Sequence, residues 1–131
     1  MTKLIHSMIR VLDLEKSISF YDNALGLKIK ERFDFDDFSL VYLAGDESSF
    51  ELELTFNKGQ TEPYTHGSGY GHIACSVDDL SATRAELVAS GLEPKEIKTI
   101  STANGLSASF FFITDPDGYQ IEFIQKGGRY S

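Results

Sequence analysis

Two histidines and two glutamates recur in matched surroundings along the chain. His6 opens HSMIRVLDL and His72 opens HIACSVDDL, and Asp-Leu follows at the same spacing, as Asp13-Leu14 and Asp79-Leu80. Each run leads to a Gly-Leu pair, Gly26-Leu27 and Gly91-Leu92. Each then reaches a glutamate in an apolar stretch, Glu53 in LELTF and Glu122 in IEFIQ. A module repeated twice, with one His and one Glu per copy, would offer two imidazole nitrogens and two carboxylates to one site. Donors of that kind suit divalent nickel, cobalt, iron, manganese or zinc rather than copper(I) or an iron–sulfur cluster. Four such ligands leave two positions of an octahedron for water or substrate.

The elements that must position these residues follow from periodicity. Residues 4–11 read as a strand. Asp13 caps a helix through about Ala24, with Leu14, Ile18, Tyr21 and Leu25 on its apolar stripe and Gly26 as its stop. Three strands follow, KIKERFDF, FSLVYLA and FELELTFN. After a glycine-rich linker the pattern returns: a strand at GHIACSV, a helix from Asp78-Asp79 through Val88, and Gly91 as stop. A strand near 96–101, SASFFFIT, the turn at 115–118 and YQIEFIQK complete the second copy. The expected fold class is α+β: one domain over 1–131, of βαβββ modules 4–57 and 70–126 joined by linker 58–69.

Side chains alternate faces along a strand. His6, Met8 and Arg10 therefore share a face, as do Glu51, Glu53, Thr55 and Asn57. Phe50, Leu52, Leu54 and Phe56 form the opposite, helix-packed set. His72 lies opposite Ile73 and Cys75, and Glu122 lies opposite Ile121 and Phe123. All four candidate ligands thus point away from the helix-packed side, onto the concave face of a curled sheet.

Bulk properties exclude other classes. The 131 residues are 41% hydrophobic and 12% aromatic, enough for a core. No apolar run approaches the roughly 18 residues of a membrane helix. A net charge of −8 argues against nucleic acid or an anionic membrane as partner. A lone cysteine allows no internal disulfide, and MTKLIHSMIRV is too short and polar for a signal peptide, so a cytoplasmic location is expected. Cys75 reads as buried and inert, His66 as a solvent-exposed linker residue, Glu51 as solvated, and Asp115-Pro116-Asp117-Gly118 as turn chemistry.

HSMIRVLDLEKSISFY, ALGLK, LELTFN, YGHIACSVDDL and DPDGYQIEFI together resemble glyoxalase I (lactoylglutathione lyase) of the vicinal-oxygen-chelate superfamily, essentially end to end. The resemblance implies paired βαβββ modules in a curled mixed-sheet cup around a metal, the glyoxalase/bleomycin-resistance/dioxygenase-like fold. It implies His6, Glu53, His72 and Glu122 as ligands, with nickel or cobalt favoured and zinc possible, since the chain lacks the extensions of zinc-type members. It implies a homodimer in which one chain gives His6 and Glu53 and the other His72 and Glu122.

The implied reaction isomerises the methylglyoxal–glutathione hemithioacetal to S-lactoylglutathione through an ene-diolate stabilised by the metal. Glu122 would be the favoured base and Glu53 would act on the opposite stereoface. Arg10 and Asn57 match positions that hold the glutamyl end of glutathione, the co-substrate. One loop departs from the pattern. Close relatives carry a lysine and glycines before the Phe-rich strand, where this chain has TISTANGLSA, with Lys98 upstream. Other readings stay open: a glyoxalase using another thiol, an acyl-coenzyme A epimerase, or a non-catalytic small-molecule binding protein of the same fold. A ring-cleaving dioxygenase needs a two-His-one-carboxylate site, against which a fourth ligand at Glu53 argues.

Overall fold

The computed structural model describes residues 1–130 and divides into two compact units, Met1–His66 and a second beginning at Gly67. The first unit holds β1 (His6–Arg10), α1 (Leu14–Leu25), β2 (Lys28–Asp34), β3 (Phe38–Ala44) and β4 (Glu51–Asn57). The second holds β5 (His72–Val77), α2 (Leu80–Ala89), β6 (Lys98–Ser101), β7 (Ser107–Thr114) and β8 (Gln120–Gln125). The class is α+β, with the βαβββ order expected from periodicity in each unit.

Each unit forms one four-stranded mixed sheet, ordered β1-β4-β3-β2 in the first and β5-β8-β7-β6 in the second. The first and last strands of a unit pair in parallel, and the remaining pairs are antiparallel. The connection from the first strand of each module therefore runs through a helix, because parallel neighbours need a crossover. Both helices are started alike. Asp13 accepts from Lys16 N and Asp79 from Ala82 N, each at 3.1 Å. A cap of this kind contributes about 1 kcal/mol. Gly26 ends α1 in the left-handed region (φ 70°), where the Leu27 amide bonds back to the Tyr21 carbonyl at 3.1 Å.

The core of the first unit is set by register. Ile9, Leu54 and Val41 lie side by side across β1, β4 and β3, all buried, with Leu14 and Tyr21 of α1 buried in the same unit. In the second unit Ile121 and Ile113 are buried neighbours, and Phe123 stacks on Phe111 with ring centroids 4.9 Å apart. Leu80 and Leu87 of α2 complete that core.

Three expectations need correction. The buried stripe of α1 is Leu14, Ser17 and Tyr21, while Ile18 and Leu25 are half-buried. Small Ser17 takes the inward position and is fully buried. Phe50 is exposed, not part of the helix-packed set, because β4 begins at Glu51, whose amide bonds the Ile5 carbonyl at 3.0 Å. His66 is half-buried rather than solvent-exposed.

Candidate metal centre

The parallel ladders place each His beside its Glu by one rule. His6 faces Glu51 across β1 and β4, and Glu53 stands two residues on, on the same face. His72 faces Gln120 across β5 and β8, and Glu122 again stands two residues on. The side chains meet along that diagonal. His6 Nε2 lies 3.1 Å from Glu53 Oε1, and His72 Nε2 lies 3.0 Å from Glu122 Oε1.

These separations admit two chemistries. An Nε2–H donating to a carboxylate spans such a distance. So do two ligands at right angles on one divalent ion: bonded at about 2.1 Å each, they stand about 3.0 Å apart. The carboxylates are sunk into the sheet, with side chains 11% and 15% exposed, while the imidazoles are 36% and 42% exposed. Nitrogen and oxygen thus converge on the open side of the sheet, and the donor set fits a divalent ion. Among the described residues no three His, Cys, Asp or Glu gather as a ready metal cluster, so each unit supplies a pair.

The rest of each site face comes from strands whose register the sequence alone does not reveal. Tyr42 of β3 pairs with Glu53, and Phe112 of β7 pairs with Glu122. Each aromatic ring meets its histidine edge to face, at 5.8 Å for Tyr42 and 5.2 Å for Phe112. Burial, then the charge of Glu53 and a hydrogen bond to it, raise the Tyr42 phenol above its ordinary range. Thr55 Oγ1 donates to Glu53 Oε2 at 3.2 Å, whereas Ile124 holds the matching place beside Glu122.

Both ladders run on past their glutamates. At the far end of the first ladder, the Val11 amide bonds the Thr55 carbonyl at 3.0 Å. In the second unit, Gln125 Oε1 accepts from the Leu80 amide at 2.8 Å, tying the start of α2 to the end of β8. The turn before β8 is built by Asp115, whose buried Oδ1 accepts from the Asp117 and Tyr119 amides at 2.9 and 2.8 Å. Asp115 thus shapes the chain, as the turn chemistry of the run predicts.

Other candidates fall in order. Arg10 and Asn57 share the face of His6 and Glu53. Glu51 is half-buried, and its counterpart by register is Gln120. Lys98 sits on the edge strand β6, in line with Phe110 and Ile124, exposed. Cys75 is half-buried on the helix side, and burial, with the Glu122 charge, pushes its thiol up to about 12. A thiol so protonated is a poor nucleophile and a poor ligand.

Residues 3–123 match the sequence profile of the Glyoxalase/Bleomycin resistance protein/Dioxygenase superfamily. The chain belongs to that superfamily. It is 39% identical over 128 residues to the lactoylglutathione lyase of Haemophilus influenzae, covering 95% of this chain and 93% of that one. It is 41% identical to the lactoylglutathione lyase of Neisseria meningitidis serogroup A, covering 95% and 91%. Among solved structures, the trypanothione-dependent glyoxalase I of Leishmania major superposes with a TM-score of 0.76 at 36% identity, covering 95% of this chain and 87% of that one. Glyoxalase I of Zea mays gives 0.81 at 28% identity, over 96% of this chain and 45% of that chain. The resemblance to glyoxalase I and the fold expected from it are borne out. The enzyme class read from the sequence, a glyoxalase I-type lyase, is the class these relatives carry.

Proposed function

We propose that this protein is a metal-dependent lactoylglutathione lyase acting on the hemithioacetal of methylglyoxal and glutathione. One observation carries the proposal: a His–Glu pair built twice, on the same diagonal of the same kind of ladder, at 3.1 and 3.0 Å. The names of relatives near 40% identity over most of the chain support the same activity. His6, Glu53, His72 and Glu122 would hold the ion, nickel or cobalt before zinc, with the pairs drawn from the two chains of a homodimer. When bound, the ion supplies Lewis acidity, stabilising negative charge that develops on the substrate oxygens.

The residues of the chain do the rest. Glu122 removes the proton from the thiol-bearing carbon and returns one to its neighbour, so that hemithioacetal becomes hydroxy-thioester. Its carboxylate has an aliphatic neighbour at Ile124 and is therefore freer to move between donor and acceptor atoms. Glu53, held by Thr55, serves mainly as a fixed ligand and acts on the opposite stereoface. Arg10 and Asn57 receive the glutamyl end of the thiol. No helix of the described residues is long and apolar enough to cross a membrane, and we place the reaction in the cytoplasm, where glutathione is abundant and Cys75 stays reduced.

The test is turnover by nickel-reconstituted protein. Conversion of the methylglyoxal–glutathione adduct to S-lactoylglutathione is expected, and no turnover with nickel, cobalt or zinc would overturn the reading. The trypanothione-dependent relative makes a second thiol a necessary arm of that assay. Preference for that adduct would keep the metal chemistry and change the carrier.

A further inference from the structure

The diagonal that joins His6 to Glu53 recurs in the first unit between Arg10 and Asn57. Arg10 faces Thr55 across β1 and β4, and Asn57 stands two residues on, on the same face. The matching positions of the second unit are Ser76 and Lys126, and Lys126 Nζ pairs with Asp78 Oδ1 at 3.0 Å. An arginine beside a carboxamide therefore belongs to one unit alone.

Asn57 is itself held. Its Nδ2 donates to the Tyr64 hydroxyl oxygen at 3.1 Å, both residues being half-buried. The chain returns to that point through a turn, with the Gln60 amide on the Asn57 carbonyl at 3.1 Å and Gln60 Nε2 on the Glu62 carbonyl at 2.7 Å. A carboxamide whose NH₂ group is committed to one neighbour presents its carbonyl oxygen on the other edge. That oxygen selects a donor, above all an ammonium, while the neighbouring guanidinium selects a carboxylate.

We infer that Tyr64 is a positioning residue that fixes the Asn57 amide, so that Arg10 and Asn57 together receive the carboxylate and ammonium of an α-amino acid terminus on the thiol carrier. The inference rests on the proposed thiol-adduct reading and adds a residue from the linker to it. Without the Tyr64 oxygen the amide rotates and offers an NH₂ group to an ammonium, which weakens binding of the substrate and its transition state alike. Such a loss appears in KM and spares kcat.

The experiment compares Tyr64→Phe with the parent protein, both nickel-loaded, on two hemithioacetals of methylglyoxal. One is made with glutathione and the other with glutaryl-cysteinylglycine, which lacks only the α-amino group. For the glutathione adduct KM is expected to rise about fivefold, with kcat changed less than about twofold, as loss of one oriented hydrogen bond requires. For the glutaryl adduct the two proteins are expected to share one KM. An unchanged KM with glutathione, or an equal rise with both thiols, would overturn the role of Tyr64. If the parent protein turns over neither adduct, the proposed function fails separately. Calorimetric binding of the S-methyl derivatives of the two thiols then decides for Tyr64 by the same split, and its absence overturns the inference.

Discussion

The two His–Glu pairs have one backbone and two environments. In both units the histidine reaches a glutamate two residues past its ladder partner, and both glutamates are sunk to a similar depth. Around Glu53 stand a hydroxyl from Thr55 and a phenol from Tyr42; around Glu122 stand Ile124 and the plain ring of Phe112. Repetition supplies one pair geometry, and in the proposed function the neighbours would divide the labour. A hydrogen bond to a carboxylate fixes its orientation, which would suit the ligand role proposed for Glu53. Beside Ile124 the Glu122 carboxylate has no such hydroxyl tether, which would suit the base role proposed for it.

Substitutions that abolish or reverse this difference test it, and the largest expected effect belongs to Glu122, the proposed base. Glu122→Gln should lower kcat by about 10³-fold in metal-loaded protein, and a rate near that of the parent would remove Glu122 from the role. Thr55→Val removes the hydroxyl from beside Glu53 and brings the first pair closer to the second. Metal affinity, measured by competition with a chelator, should weaken about tenfold. Ile124→Thr makes the opposite change, offering Glu122 a hydroxyl. A tethered base should work more slowly, by about fivefold in kcat, with metal affinity held or improved. Tyr42→Phe should have the smallest effect, about threefold in metal affinity at most. Because burial and Glu53 raise the Tyr42 phenol, it keeps its proton through ordinary alkaline conditions. Parent and variant should therefore give superimposable pH–rate profiles up to about pH 10, and an alkaline limb lost in the variant would show that Tyr42 titrates in catalysis.

Most of this was legible in the sequence because alternation along a strand is a local property. His6, Arg10, Glu53 and Asn57 could be put on one face from parity alone, and the Asp caps and Gly stops announced the helices. The residues that were missed depend on relations between strands. Tyr42 faces Glu53, rather than a neighbour of it, because of the register of β3 on β4, and nothing in FSLVYLA reports that register. The edge strand β2 even changes register between Ile29 and Glu31. Thr55 lay on the correct face, but its hydroxyl reads as a generic strand residue until the 3.2 Å contact to Glu53 is seen. Tyr64 was hidden for another reason. A segment rich in glycine and polar residues carries no periodicity, so nothing local announces the turn and the side-chain hydrogen bond that bring Tyr64 to Asn57. The inward turn of Ser17 likewise depends on how closely α1 approaches its sheet, which helical spacing does not specify.

The proposal that the two pairs hold one ion is tested most directly by nickel titration of the parent protein, His6→Ala and His72→Ala, followed calorimetrically. One ion per chain is expected in the parent, and either substitution alone should abolish tight binding, because each removes a ligand of the same ion. Two ions per chain, or tight binding that survives one of the two substitutions, would contradict it and leave two independent hydrogen-bonded pairs in place of a shared centre.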